Sequence, residues 1–243
     1  MDLLFSEEKN PNITQPSVNL TSTSMGAKEV GTRLVPNYNA SLNAGNYQFG
    51  PNTNVTAISW SVSDTKGGIS DTASGNFNEL LIEDNTNYSI TAIVQHSEGA
   101  IPLTNLGNPF PSGKIIAGSK TKTLGSITGY RNSFYGTITN KNELNSNVIR
   151  SLSKSNRALS NGATFNITIP IGALRVVIAY PATLRDLTSV LDVNGLNANI
   201  TSSFKNIRLN IEGNNSYSPK EYKIYYLDYA APYDTNNTYK VTI

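Results

Sequence analysis

A chain of 243 residues has room for one large or two ordinary domains, and its 15% charged against 38% hydrophobic residues suits neither a disordered tract nor a helix-rich fold. The formal net charge of +2, spread without a basic run, is too small for phosphate neutralisation, so no nucleic-acid partner is expected. Cysteine is absent, which removes disulfide frameworks, zinc–thiolate sites and thiol nucleophiles together.

The chain opens with MDLLFSEEKN, which has acidic residues where a secretory leader carries basic ones, and its apolar run is too short for a leader core. No window approaches a membrane span. Residues 1–27 read as an extended docking arm. Pro11 and Pro16 interrupt a polar stretch without a period, and Leu3, Leu4 and Phe5 offer an apolar contact for another surface.

Residues 28–126 read as a β-sandwich. In NVTAISWSVSD, strict alternation places Ile58, Trp60 and Val62 on one face, pointing into a core. TKGG follows as a turn. In NYSITAIVQH, Tyr88, Ile90, Ala92 and Val94 share a face, and a last strand falls between Lys114 and Thr123. Trp60, followed by Asp84, Tyr88 and Ile90, resembles the core tryptophan and tyrosine corner of immunoglobulin-like sandwiches. The resemblance implies an Ig-like domain, with Ile90 standing where antibody domains have a cysteine and Phe49 as the candidate for its partner position. The long Pro- and Gly-rich connection Gly99–Lys114 reads as a crossover or a functional loop.

Residues 127–243 read as a second β-sandwich domain. SNVIRSLSKSNRA suits one short helix, capped by Ser146, with Val148, Ile149 and Leu152 on one side. In ATFNITIP, Phe165, Ile167 and Ile169 face one way; LRVVIAYP suits a central strand covered on both faces and ended by Pro181. ATLRDLTSVLD suits a helical turn or two, and Asn194-Gly195 a tight turn. Arg185 and Asp186, adjacent in sequence, would project about 100° apart on such a turn and form no preset catalytic pair. The fold expected is therefore all-β: two sandwich-like domains, the first Ig-like, behind an arm.

Enzymatic readings fail mostly on inventory. His96 is the only histidine, at a strand end, and neither a nucleophile elbow, a phosphate loop nor a dinucleotide fingerprint is present. Glycoside hydrolysis needs only two carboxylates, for which Glu79, Glu83, Asp84, Glu98, Asp186, Asp192, Glu212 and Asp228 are the candidates, none in a distinctive context. Neither catalysis nor a cofactor or metal is expected. The distinctive surface chemistry is aromatic. In EYKIYYLDY, Tyr222, Ile224, Tyr226 and Asp228 share one face and Tyr225, Leu227 and Tyr229 the other. One face can line the domain core, while the other needs a cover: a helix, the other domain or another subunit. Tyr225, Leu227, Tyr229 and Tyr233 are the interface candidates here, with a sugar platform as the competing use and an ordinary intradomain sandwich strand as the plainest reading.

Three blocks span most of the chain after the arm: GTRLVPNYNASLNAGNYQFGPNTNVTAISWSVSDTKGGISDTASGNF, IPLTNLGNPFPSGKIIAGSKTKTLGSITGYRNSFYG, and RVVIAYPATLRDLTSVLDVNGLNANITSSF with YKIYYLDYAAPYDTNNTYKVTI. VIAYPATLRDLTSVLDVNG and TNLGNP are their most specific parts. Together they resemble virion structural proteins of crAss-like tailed gut bacteriophages. The resemblance implies a non-enzymatic tail-fibre, collar or head-fibre component, assembled in the host cytoplasm and carried in the virion. Other virion proteins would be its partners, homo-oligomers its usual state, with trimers common in fibres. The alternative expectation is a receptor-binding module that uses exposed Tyr and Asn side chains on a host surface glycan.

Overall fold

A computed structural model describes residues 7–152 and 159–243, with the backbone of Lys154–Asn156 between them. The fold is all-β. Among the described residues the only α-helix is the five-residue Ser146–Arg150, accompanied by three short 3-10 turns. The chain divides into two compact units. One comprises the described residues up to Ala27, then Arg33–Leu81 and Asn85–Thr128; the other comprises Lys28–Thr32, Ile82–Asp84 and Gly129–Ile243.

The first unit stacks two antiparallel sheets. Ser17–Thr21, Asn37–Asn43 and Ser74–Asn76 form one; Gly118–Thr123, Ile90–His96, Ala57–Asp64 and Ile69–Ser70 form the other, in that spatial order. Ile90, Ala92 and Val94 are fully buried on the inward face, where alternation put them. Three expectations change. The described part of the expected arm is sheet: Ile13–Thr14 pairs with Asn46–Tyr47, and Ser17–Thr21 pairs with Asn37–Asn43, burying Leu20. Glu8 accepts hydrogen bonds from Thr104 and Asn108 at 2.9 and 2.8 Å, so the loop after Gly99 holds this segment down. The prolines sit where they interrupt no pairing, Pro16 between the two strands.

Second, of Ile58, Trp60 and Val62 only Val62 is fully buried; Trp60 is half-buried and Ile58 is 67% exposed. The pairing with Ile90–His96 shifts between Gln95 and His96, opposite the start of this strand, which leaves its first residues at the rim. Third, Asp84 makes no tyrosine corner. The Tyr88 hydroxyl donates instead to Asp64 Oδ2 at 2.9 Å, and Asp64 Oδ1 accepts from the backbone N–H groups of Lys66 and Gly68 across the TKGG turn. Phe49, the expected partner of Ile90, lies half-buried outside any strand.

The second unit has a five-stranded antiparallel sheet in the order Lys154–Asn156, Ser133–Ile138, Arg175–Pro181, Lys220–Asp228, Lys205–Ile211. A four-stranded antiparallel sheet runs in the order Thr164–Ile169, Asn237–Thr242, Ser189–Asp192, Ala198–Asn199. Between them lies a core that includes Ile167, Ile169, Val176, Ile178, Tyr180, Tyr225, Tyr239 and Val241. The Tyr180 ring stacks on Tyr225 with centroids 5.8 Å apart. On the other face of the five-stranded sheet, Phe134, Val177, Ala179, Tyr222 and Ile224 pack with Leu144, Ile149 and Leu152. The central strand is thus covered by a sheet on one side and by the helical segment on the other. Asn145, not Ser146, caps that helix, its side chain accepting from Val148 N at 3.1 Å. No helix forms in ATLRDLTSVLD: a turn after Pro181 leads directly into Ser189–Asp192, whose β-branched Val190 is buried against Tyr239 and Val241.

The short pieces of the second unit are bound by backbone hydrogen bonds: Val30 N to Tyr130 O, Gly31 N to Ile82 O and Asn214 N to Val30 O, at 2.7–2.9 Å. Gly31, at φ +86°, lies so close to Asn214 that an added Cβ would fall 1.9 Å from its carbonyl oxygen.

Candidate functional site

The site follows from the strand register of the second unit. Arg175 pairs with Asp228 and Val177 with Tyr226, while Lys205 pairs with Tyr226 and Ile207 with Ile224. Alternation therefore puts Arg175, Tyr226, Asp228, Lys205 and Ile207 on the helix-covered face. The helical segment packs at the end marked by Phe134, Ile211 and Tyr222. The other end stays open as a cleft of about 230 Å³, walled by Lys141–Leu144 and floored by Ile207, Leu209 and Tyr226.

Arg175, only 6% exposed, is fixed at the base of this cleft. Its Nε donates to Asp228 Oδ1 at 2.5 Å, and its Nη1 and Nη2 donate to the backbone carbonyls of Asn142 and Lys141 at 2.7 and 3.3 Å. Its guanidinium carbon lies 5.0 Å from the centroid of the Tyr226 ring, and Lys205 Nζ lies 5.9 Å from it. A guanidinium has five N–H groups, so two remain. The second oxygen of Asp228 and the Tyr226 hydroxyl take no hydrogen bond among the described residues.

The residues expected at an interface lie elsewhere. Leu3, Leu4 and Phe5 fall outside the described residues. Tyr225 is buried in the inter-sheet core, its hydroxyl donating to Asp186 and accepting from Leu187 N. Leu227, Tyr229 and Tyr233 pack partly buried against the same core, with the Tyr229 hydroxyl on Tyr239 at 3.0 Å and Asn237 donating to the Tyr233 hydroxyl at 3.1 Å. Burial raises the Tyr229 and Tyr239 phenols well above their ordinary value. Tyr225 is internal, and the four-stranded sheet part-covers Leu227, Tyr229 and Tyr233 on the same face; Tyr226, on the other face, lines an open cleft.

Most of the carboxylates are engaged. Glu79 pairs with Arg33, Glu98 with Lys114, Asp84 with Arg131 and Asp186 with Lys223, all at 2.7–2.8 Å. The Lys223 ammonium beside Asp186 holds its carboxyl below the usual range. Asp192 accepts from Gly195 N and from Asn237. Glu83 is exposed and Glu212 half-buried. His96 is buried, with Nδ1 2.9 Å from the Ser97 carbonyl oxygen. Arg185 and Asp186 are both exposed, and only Asp186 joins the Lys223–Tyr225 cluster.

The first unit presents a different surface. On the outward face of its four-stranded sheet, Ile69, Ser63, Thr91 and Thr123 form one cross-strand row, Ser61, Ile93 and Thr121 the next, and Ser59, Gln95 and Ser119 a third. None is charged, and Ile69 is 78% exposed. Thr91 and Thr123 join hydroxyls at 2.9 Å. The sequence does not announce this face, because its large apolar residues are few and Ser and Thr mark only that it is free of charge. Comparison of the chain with protein-family models, curated proteins and solved structures finds no match.

Proposed function

We propose that the chain is a non-enzymatic structural component of a bacteriophage virion, a tail-fibre, collar or head-fibre module that assembles with copies of itself and with other virion proteins in the host cytoplasm. The observation that carries the reading is the uncharged outward face of the first unit's four-stranded sheet. Covering it would desolvate no ion, its small side chains allow close approach, and hydroxyls that both donate and accept suit almost any facing surface. Ile69 and Ile93 supply apolar anchors in it. Light scattering tests this: a defined oligomer is expected from the full chain, and Ile93→Glu, which places a charge at the centre of the face, should lower the mass to the monomer. A full chain that is monomeric at every concentration overturns the reading. An oligomer that ignores Ile93→Glu but is lost on removing residues 1–6 moves the contact to Leu3, Leu4 and Phe5. A second reading, glycan binding, is favoured by the open cleft at Tyr226 and is compatible with the first.

A further inference from the structure

We infer that the strand Lys205–Ile211 is a docking edge that takes an extended segment of another polypeptide as a sixth, antiparallel strand of the five-stranded sheet. The inference rests on the assembly reading and names the kind of partner that reading needs. Lys205–Ile211 is the last strand of its sheet and pairs with Lys220–Asp228 in unbroken register. Antiparallel pairing turns alternate backbone groups toward the neighbour and the rest outward. Among the described residues, the outward groups of Lys205–Asn210 meet no partner. At Ile211 the edge closes, where Arg131 Nη1 donates to the carbonyl at 3.4 Å and Glu212 N donates to Ser146 Oγ at 3.0 Å. Free edges are ordinarily kept short, bulged or broken by proline. The edge strands Ile69–Ser70 and Ala198–Asn199 are two residues long, whereas Lys205–Ile211 runs for seven without a bulge or a proline.

The side chains say what the segment carries. Lys205, Ile207 and Leu209 stand on the cleft face, and Asn206, Arg208 and Asn210 on the other. Ile207 and Leu209 floor the cleft half-buried, so apolar residues opposite them in an added strand would cover what remains open. Polar residues at the alternate positions would meet the exposed Asn206, Arg208 and Asn210. The cleft wall offers no net charge: Lys141 and Glu143, both exposed, are opposite in sign and select neither an anion nor a cation. Arg175 is buried and already held by Asp228. Lys205 remains. Its ammonium lies over the Tyr226 ring and has no acidic partner among the described residues, so a carboxylate opposite it completes the row. Charge also argues against a second copy using the same edge. The strand carries two cations, Lys205 and Arg208, and no acid, so two such edges would bring like charges together. The fitting partner is therefore a strand of a different chain, with apolar and hydroxyl residues alternating and an acidic residue at its C-terminal end.

The test uses the full chain and the end-capped peptide Thr-Val-Thr-Val-Thr-Glu, which in antiparallel register sets valines opposite Leu209 and Ile207 and glutamate opposite Lys205. Hydrogen exchange followed by NMR should show the peptide protecting every second amide of Lys205–Asn210. Ile207→Ser should weaken binding about tenfold. Exchanging the peptide's glutamate for lysine should weaken it about fivefold, and Lys205→Glu should restore binding of the lysine peptide, a readout that survives if the serine variant folds poorly. Replacing Lys141 and Glu143 together by alanine should leave affinity unchanged. A peptide N-methylated at every amide keeps its side chains and should not bind. Absence of protection at saturating peptide, or binding that survives N-methylation, overturns the inference. Protection of the same amides by methyl glucoside but not by the peptide overturns it too, and gives the cleft to the glycan reading. If the peptide fails while the chain still forms its oligomer in light scattering, assembly stands and this edge is not its contact. If the peptide binds a chain that never oligomerises, the edge stands and self-assembly falls.

Discussion

Charge partners decide the behaviour of single residues in the second unit, and Asp84 shows it most clearly. Arg131 Nε and Nη2 meet its two oxygens at 2.8 Å each, a side-on bidentate pair, while Arg131 itself is 6% exposed and also donates to the Ser218 carbonyl. Arg131 holds the Asp84 carboxyl below its ordinary value, with partial burial opposing and Lys220 adding a little. The sign follows from linkage. Because the folded value is depressed, the pair's stabilisation is fully present above the unfolded value and is lost as pH falls through the folded one. Asp84→Asn should therefore cost about 1–2 kcal/mol at pH 7, since Asp84 is partly exposed and solvent screens the pair. The gap between variant and parent should narrow as pH falls below about 4 toward the depressed folded value. Urea unfolding of both proteins at pH 7 and pH 3 measures it, and an equal gap at the two values would remove Asp84 from the account. None of this could be read along the chain: Asp84 and Arg131 are 47 residues apart, and the local spacing pointed Asp84 at Tyr88 instead. Tyr88 found its acceptor in Asp64, whose other oxygen was already fixed by the turn.

At the scale of elements, legibility tracked burial. LRVVIAYP and ATFNITIP declared their strands because period and composition are dictated by a covered face, and Ile167, Ile169, Val177 and Ile178 are buried as that pattern requires. Edge and rim elements did not declare themselves. SVNLT carries a single large buried side chain, Leu20, and its strand is specified by pairing with Asn37–Asn43. Likewise, nothing along ATLRDLTSVLD records that a second sheet waits for Val190. The Tyr226 cleft was half legible: alternation placed Tyr226 on the face opposite Tyr225, but Arg175, Ile207 and Leu209 join it only through register with other strands. The N-terminal strand yields a sharp expectation. Deleting residues 1–21 removes Leu20 from its core and unpairs one side of Asn37–Asn43, a loss of roughly 3 kcal/mol or more. Hydrogen exchange should show amides of Asn37–Asn43 losing protection. If they stay protected, the first unit does not need this strand and the segment is free to act as an arm.

The whole molecule is not two beads on one linker. Cut between residues 126 and 127, the chain would give a C-terminal fragment that looks like a complete domain by sequence, yet the compact unit it belongs to also owns Lys28–Thr32 and Ile82–Asp84. Those eight residues bring Val30 and Ile82, both fully buried, and a backbone ladder onto Tyr130 and Asn214. They also supply the acidic partners of two of the unit's packed arginines: Glu29, 2.7 Å from Arg150, and Asp84, on Arg131. Without them the fragment would expose the groups that Val30 and Ile82 cover. It would also leave the Arg150 and Arg131 guanidinium groups without their carboxylates, a loss of about 1–2 kcal/mol for each of these partly screened pairs. A domain's whole stability is about 5–15 kcal/mol. Residues 127–243 alone should therefore melt far below the intact chain or lack a cooperative transition, as followed by circular dichroism. Adding a synthetic peptide spanning residues 26–34 should restore part of the transition, because it returns Val30, Gly31 and Glu29 to their places. A fragment that melts cooperatively at the temperature of the full chain would show that the two short pieces are passengers, and the sequence boundary near residue 127 would then be the working one.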